Sequence, residues 1–210
     1  MSILTSEAFV EISVFVILLL SLGLTIIMTK RYLKSKIKPL LFWSTGMWFF
    51  TIGVLIELFF SFGYYNVLVG DLYLLFVSII VEMLAMGSVQ LLKSRKASIA
   101  YGAFMIASTA ILLASLLTSN IKDIVEHYIV FSVLPLSVVL SSSLVTFPAA
   151  ILLIAIAVVS YLKKKSYKMI SIIIGVLVVS VAGTLYIAEI PVFLYYSEFI
   201  GILLLWYGFI

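Results

Sequence analysis

Residues 72–92 read LYLLFVSIIVEMLAMGSVQLL, bounded by Asp71 on one side and by Lys93, Arg95 and Lys96 on the other. At about 1.5 Å per residue, a helix of this length crosses a hydrocarbon core of about 30 Å. One residue is out of place in that reading. Glu82 sits near the middle of the run, with no basic residue between Lys38 and Lys93 to pair with it.

The rest of the chain repeats the pattern of long apolar runs. Of 210 residues, 65% are hydrophobic and 10% charged, against about a quarter charged in soluble domains. A soluble fold of this length has no interior large enough for so much apolar surface. The chain therefore reads as a single all-α polytopic membrane domain over 1–210. Spans are expected at about 8–29, 40–62, 71–92, 98–117, 146–162, 169–190 and 192–210. The N-terminal stretch has Glu7 and Glu11 before its apolar run and Lys30 after it, so it reads as a retained span and not a cleaved leader.

Charge sets the expected orientation. Lys30, Arg31, Lys34, Lys36 and Lys38 follow the first span, Lys93, Arg95 and Lys96 the third, and Lys163, Lys164, Lys165 and Lys168 the fifth. Only Lys122 falls on the other side. Basic loops stay in the cytoplasm, which predicts seven transmembrane helices with the N-terminus out and the C-terminus in, at the plasma membrane. The same clustering argues against reading the net charge of +4 as a nucleic-acid surface.

Residues 118–148 resist assignment. An additional span there would put KKKSYK, 163–168, outside. Three readings remain: an outer strand-like segment, a re-entrant loop, or one long fifth helix kinked at Pro148. Val, Ile, Ser and Pro135 favour an outer or re-entrant segment over 118–145 with a helix from about Thr146, and a start near Val138 is the alternative. There is also an internal echo. RYLKSKIK (31–38) resembles SYLKKKSYK (160–168), and GVLIE (53–57) resembles GTLYIAE (183–189). The echo suggests a 3+1+3 parallel repeat, a pattern found in small transporters; the alternative is that cytoplasmic helix ends simply look alike.

Helical periodicity places the polar residues of each span on one stripe. The stripes are Asp71, Ser78, Glu82, Ala85 and Val89; Gly46, Gly53, Glu57 and Ser61; Glu7, Glu11, Ser21, Thr25 and Thr29; and Ser171, Gly175, Tyr186 and Glu189. Small and polar residues turn away from lipid, so these stripes should face the bundle interior. An ionised carboxyl at mid-membrane costs about 2.5–3.5 kcal/mol even on a mild scale. Glu82 is then neutral, hydrated in a cavity or bound to a cation. The candidate intramembrane coupling site is Glu82 with Ser78, Glu57 and Glu198, and Glu57 and Glu198 are expected at an acidic outer mouth with Glu189, Asp71 and Glu11. The competing reading is a structural acid at Glu82 and solvated carboxylates at helix ends. Trp43, Trp48, Trp206, Tyr64, Tyr65, Tyr195 and Tyr196 read as interfacial anchors. His127, beside Glu126, reads as a solvated loop residue, with pH sensing as its alternative.

Enzymatic chemistry finds no footing. There is no cysteine, one histidine, no phosphate-binding glycine loop and no Gly-x-Gly-Asp motif. No cofactor, metal site or catalytic residue is expected. Seven spans resemble the topology of microbial rhodopsins and of small sugar-transporter-like proteins. The last span, FLYYSEFIGILLLWYGFI, lacks the lysine that retinal attachment requires, and the Pro-Gln motif of the small transporters is missing. FWSTGMWFFTIGVLIE, VEMLAMGSVQLL, the span around Pro148 and EFIGILLLWYGFI together resemble uncharacterised small seven-span membrane proteins of prokaryotes. VEMLAMGSVQLL is also similar to the seven-span input module of some sensor kinases, and with the chain stopping at Ile210 an output would come from a separate partner. Two functions are expected from this: a small-solute or cation/proton-coupled transporter-like protein in the bilayer, or a seven-span sensor or accessory subunit that acts through a partner membrane subunit.

Overall fold

The computed structural model describes residues 7–119, 121, 125–126, 129–130, 134–165, 167–168, 170–172, 174–175, 178 and 192–209. The helices are α1 (Glu7–Ser35), α2 (Lys38–Ser61), α3 (Val67–Leu91), α4 (Arg95–Thr118), α5 (Leu136–Lys164) and α6 (Val192–Phe209). The described residues among 167–178 are helical too. Among the described residues five helices, α1 to α5, are long and apolar enough to cross a membrane. The protein is thus helical and multi-pass. The expected span over 169–190 falls largely outside the described residues, as do Lys122, His127 and Glu189.

Local chemistry explains where the helices start. Pro39 occupies the first turn of α2, where its missing N–H costs nothing. The side chain of Asn66 accepts from Leu68 N at 2.9 Å and opens α3, and Ser94 Oγ accepts from Ala97 N at 3.3 Å to open α4. Three basic loops turn on a lysine with positive φ: Lys36 (55°), Lys93 (53°) and Lys165 (47°). This left-handed residue ends a helix by letting its N–H reach back to a free carbonyl.

The fifth helix differs from expectation. It starts at Leu136, ten residues before Thr146 and near the alternative start, and Pro148 lies inside it. The β-branched and hydroxyl residues that suggested extended structure are accommodated by back-bonding. Ser141 Oγ donates to Val138 O at 3.2 Å, Ser142 Oγ to Val139 O at 3.1 Å and Thr146 Oγ1 to Ser142 O at 2.9 Å. Hydroxyls satisfied within their own helix do not need a sheet. Among the described residues extended pairing is confined to β1 (Val125–Glu126) and β2 (Ile129–Val130), which run antiparallel with Val125 opposite Val130.

In the bundle, α2 packs on α1 and α3, α3 on α4 and α5, α4 on α5, and α1 on α6. The polar stripes do face inward: Gly46, Gly53, Glu57 and Ser61 are buried on α2, and Ser78, Glu82, Ala85 and Val89 on α3. Thr25 Oγ1 lies 2.9 Å from Thr51 Oγ1 and donates to Met47 O at 3.1 Å, tying α1 to α2. Two of the expected interfacial tryptophans are ties instead. Trp43 Nε1 donates to Leu84 O at 3.0 Å, across α2 and α3, and Trp206 Nε1 to Leu20 O at 2.9 Å, across α6 and α1. Trp48 and Tyr64 remain exposed, as anchors do.

One set of close approaches occurs twice. A β-carbon on Gly46 would sit 3.4 Å from Ile80 O, 3.1 Å from Met83 Cβ and 3.4 Å from Leu84 Cδ2. On Gly175 it would sit 3.3 Å from Gly201 O, 3.1 Å from Leu204 Cβ and 3.4 Å from Leu205 Cδ2. Gly87 is pressed against the Trp43 ring and Pro39 O, and Gly208 against the Ile172 side chain and Lys168 O. The loops agree. Lys36 N bonds Tyr32 O at 2.7 Å, and Lys165 N bonds Tyr161 O at 2.6 Å. Lys36 to Lys165, Pro39 to Lys168, Trp43 to Ile172 and Gly46 to Gly175 share one spacing in the chain. Ile80 to Gly201, Met83 to Leu204 and Gly87 to Gly208 share another. The packing of α2 on α3 around Gly46 and Gly87 is therefore reproduced by the residues around 168–175 on α6.

Candidate functional site

Helix α3 carries two carboxyl centres. Tyr73 and Glu82 are nine residues apart, which at about 100° and 1.5 Å per residue puts them on opposite faces and about 14 Å apart along the axis. The two centres are separate.

The first joins α2, α3 and α6. Glu57 is 2% exposed and Glu198 7%. The Tyr73 hydroxyl donates to Glu57 Oε1 at 2.5 Å, and the Glu57 and Glu198 carboxyls lie within hydrogen-bonding reach of each other. Glu57 Oε2 and Glu198 Oε2 are buried with no N–H or O–H donor on them among the described residues. Two ionised carboxylates cannot bond to each other, and like charges this close cannot both persist. A proton between them resolves the contact. No lysine or arginine occurs from Pro39 to Leu92 or after Lys168, so no basic residue of these segments can take that part. Among the described residues no third carboxylate or histidine joins the pair, so the donor set suits a shared proton better than a multivalent ion. The ring of Phe60, fully buried, packs edge-on against Tyr73 with centroids 5.8 Å apart.

The second centre joins α3 and α4. Glu82 is 0% exposed. Ser108 Oγ lies 2.6 Å from Glu82 Oε1, and Thr109 Oγ1 donates to Glu82 Oε2 at 2.8 Å. Ser108 Oγ is also 2.8 Å from Phe104 O. Its single hydrogen cannot serve both. The arrangement that satisfies every group has Ser108 donating to Phe104 O and a neutral Glu82 donating to Ser108. It also avoids an ionised carboxyl at this depth. Tyr101, two turns from Ser108 on the same face of α4, has a buried hydroxyl with no partner among the described residues.

Each expected site residue can now be placed. Glu57 and Glu198 come together, but buried against one another and not at an open outer mouth. The sequence stripe could not show this, because burial depends on what α6 lays over α2. Glu82 stands apart from them. Ser78 is buried on the Glu82 face, yet its hydroxyl donates to Leu74 O at 2.9 Å within its own helix. Glu11 is half-buried, and Asp71 is half-buried with one oxygen lacking a donor among the described residues. Sequence reasoning missed Tyr73, Ser108 and Thr109. Adjacent hydroxyl residues in the middle of the fourth span, at about the depth of Glu82 across a short loop, were the available signal.

The neutral-acid geometry predicts a conditional effect. With Glu82 present, Ser108→Ala removes the acceptor of its proton and should cost about 1–3 kcal/mol. In a Glu82→Leu background the same change should cost little. Thermal unfolding of the four proteins in one detergent measures the difference, and equal losses in the two backgrounds would disprove the bond.

A third feature lies at the end of the bundle that carries the basic loops. A cavity of about 40 Å³ is lined by Trp43, Ser88, Leu153, Ile156, Ile172 and Phe209, among others. The Trp43 and Phe209 rings approach to 5.1 Å, and Arg31 Nη1 donates to Phe209 O at 2.6 Å. Comparison with known protein families, with curated proteins and with solved structures finds no match for this chain.

Proposed function

We propose that this chain is a small transporter-like protein of the cell membrane, in which a proton shared by Glu57 and Glu198 is coupled to movement of a small solute. The observation that carries this reading is the buried carboxyl pair, drawn from α2 and α6. Intramembrane acids are costly, and where they pair away from lipid they mark proton and ion pathways. In this reading the chain crosses the membrane seven times, N-terminus out and C-terminus in. The basic loops support the orientation, and α6, about 27 Å long at 1.5 Å per residue, supports a crossing near the C-terminus. The duplicated contacts of Gly46 and Gly175, and of Gly87 and Gly208, support a 3+1+3 parallel repeat with α4 as the link. Glu82 then serves as a neutral clamp between α3 and α4 and not as the coupling group.

The test is solute-evoked proton movement. The protein is reconstituted into liposomes holding a pH-sensitive dye and challenged with amino acids, sugars, polyols and amines. A solute that shifts lumenal pH with the wild type should do so at least about tenfold less with Glu57→Gln or Glu198→Gln, as expected when a proton carrier is removed. A solute that moves with the same proton flux in all three proteins sinks the coupling. No response to any solute sinks transport in favour of the second reading, a seven-span sensor or accessory subunit. That reading has one observation of its own: α4 is the least buried of the five long apolar helices and presents Ile99, Ile106, Leu113 and Leu117 outward.

A further inference from the structure

We infer that the solute path runs along a pseudo-two-fold axis between the two three-helix units, and that its mouth at the basic-loop end, between Trp43, Ser88, Ile172 and Phe209, admits small uncharged solutes. This rests on the transport reading.

The position follows from the duplicated contacts. Trp43 and Ile172 are equivalent, because each presses on the corresponding glycine, Gly87 or Gly208. Ser88 and Phe209 are equivalent, because each follows that glycine. All four line one cavity. A rotation that carries one unit onto the other carries Trp43 to Ile172 and Ser88 to Phe209. Only a region near the rotation axis can touch both members of both pairs. The cavity therefore marks the axis. The Trp43–Phe209 ring contact crosses between the units on α2 and α6, and so does the Glu57–Glu198 contact at the other end of the same two helices. The mouth and the carboxyl pair are two levels of one seam, and substrate and ion sites of repeat transporters lie at such interfaces.

The lining sets the class of solute. Among the described residues it holds Trp43, Leu84, Leu91, Leu153, Ile156 and Phe209 with the hydroxyls of Ser88 and Ser160, and no charged side chain. An ion entering it would lose its hydration without compensation. Trp43 Nε1 and Ser88 Oγ both donate to Leu84 O, at 3.0 and 3.1 Å. Their hydrogens are engaged while Ser88 Oγ keeps lone pairs to accept. An uncharged solute with hydroxyl or amide hydrogens and an apolar face for the two rings fits this surface. At about 40 Å³ the cavity exceeds what one water needs but is too small for a solute of that kind, so passage requires the seam to widen here.

The chain has no cysteine, so single thiols can be read directly. Ser88→Cys, Ile172→Cys and the buried control Ser141→Cys, whose hydroxyl bonds only its own helix and lies outside the cavity lining, are placed in inverted membranes and checked for wild-type unfolding temperature. Each is treated with uncharged methyl methanethiosulfonate and with its trimethylammonium-ethyl analogue, and rates are scaled to those at Lys93→Cys in an exposed loop. The expected result is modification of both Ser88→Cys and Ile172→Cys by the uncharged reagent at least about tenfold faster than Ser141→Cys, with the cationic reagent slower again by about tenfold or more. Neither thiol outrunning Ser141→Cys, or only one of the two, overturns the axial path. A cationic reagent as fast as the uncharged one overturns the solute class. Labelling as expected without solute-evoked proton movement would sink the coupling reading and leave the path; coupling without labelling would sink the path alone.

Discussion

Replacing Glu198 alone by leucine is expected to destabilise the protein more than replacing Glu57 and Glu198 together. In the wild type each buried acid finds a partner in the other. Glu198→Leu leaves Glu57 Oε2 facing an isobutyl group. The Tyr73 hydroxyl still serves Glu57 Oε1, but the carboxyl proton loses its acceptor. A buried polar group left without its partner costs about 1–3 kcal/mol. Leucine at both positions removes the orphan as well as the bond, and buried polar pairs replaced by apolar residues of similar size are often close to neutral. The double variant should therefore unfold at a higher temperature than Glu198→Leu, and the pair should show an interaction energy of about 1–2 kcal/mol or more in a double-mutant cycle. Strict additivity would mean that the two carboxyls do not bond, and the proton-sharing proposal would go with it. The cycle needs no knowledge of the solute.

A valine at Gly87 or at Gly208 should be costly, and by similar amounts. A β-carbon at Gly87 would overlap the Trp43 ring, and one at Gly208 would overlap the Ile172 side chain. Pro39 O and Lys168 O close the other side at 3.0 and 3.1 Å. Backbone on that side cannot yield as a flexible side chain can. Overpacking of this kind costs about 1–3 kcal/mol, and more where a helix must shift. Gly102→Val is the natural control. Its β-carbon would meet nothing closer than Met86 Cε at 3.8 Å, so the change should be mild. Unfolding midpoints of the three variants decide the matter. A large loss at Gly87 with none at Gly208 would break the equivalence of the two units on which the axial path depends.

Much of this architecture is legible in the residues because a bilayer imposes simple rules. Apolar runs near 20 residues become helices, since no other backbone is satisfied in lipid. Glycines and hydroxyls on α2 and α3 turn inward, where Gly46 and Gly53 let helices approach and Thr25 meets Thr51. The start of α5 was not legible in that way. Val, Ile and Ser favour extended chain in water, yet in this helix Ser141, Ser142 and Thr146 bond their own backbone, and that local choice is not written in propensity. The tryptophans misled for a related reason. An indole near a helix end suits an interface or a buried carbonyl equally well, and only the neighbouring helix decides between them.

The sequence by itself determined that the chain is helical and membrane-embedded, which residues face inward, and that Glu57, Glu82 and Glu198 are the acids in need of explanation. These follow from hydropathy and a period near 3.6, which act along one helix at a time. Which acids meet was decided only by tertiary structure. Glu82 and Glu57 lie on neighbouring helices yet serve opposite faces of α3, one closed by Ser108 and Thr109, the other by Tyr73 and Glu198. Glu57 and Glu198 are far apart in the chain, and no local rule couples α2 to α6. Their meeting depends on how α2 and α6 pack, a property of helix surfaces brought together and of no single segment.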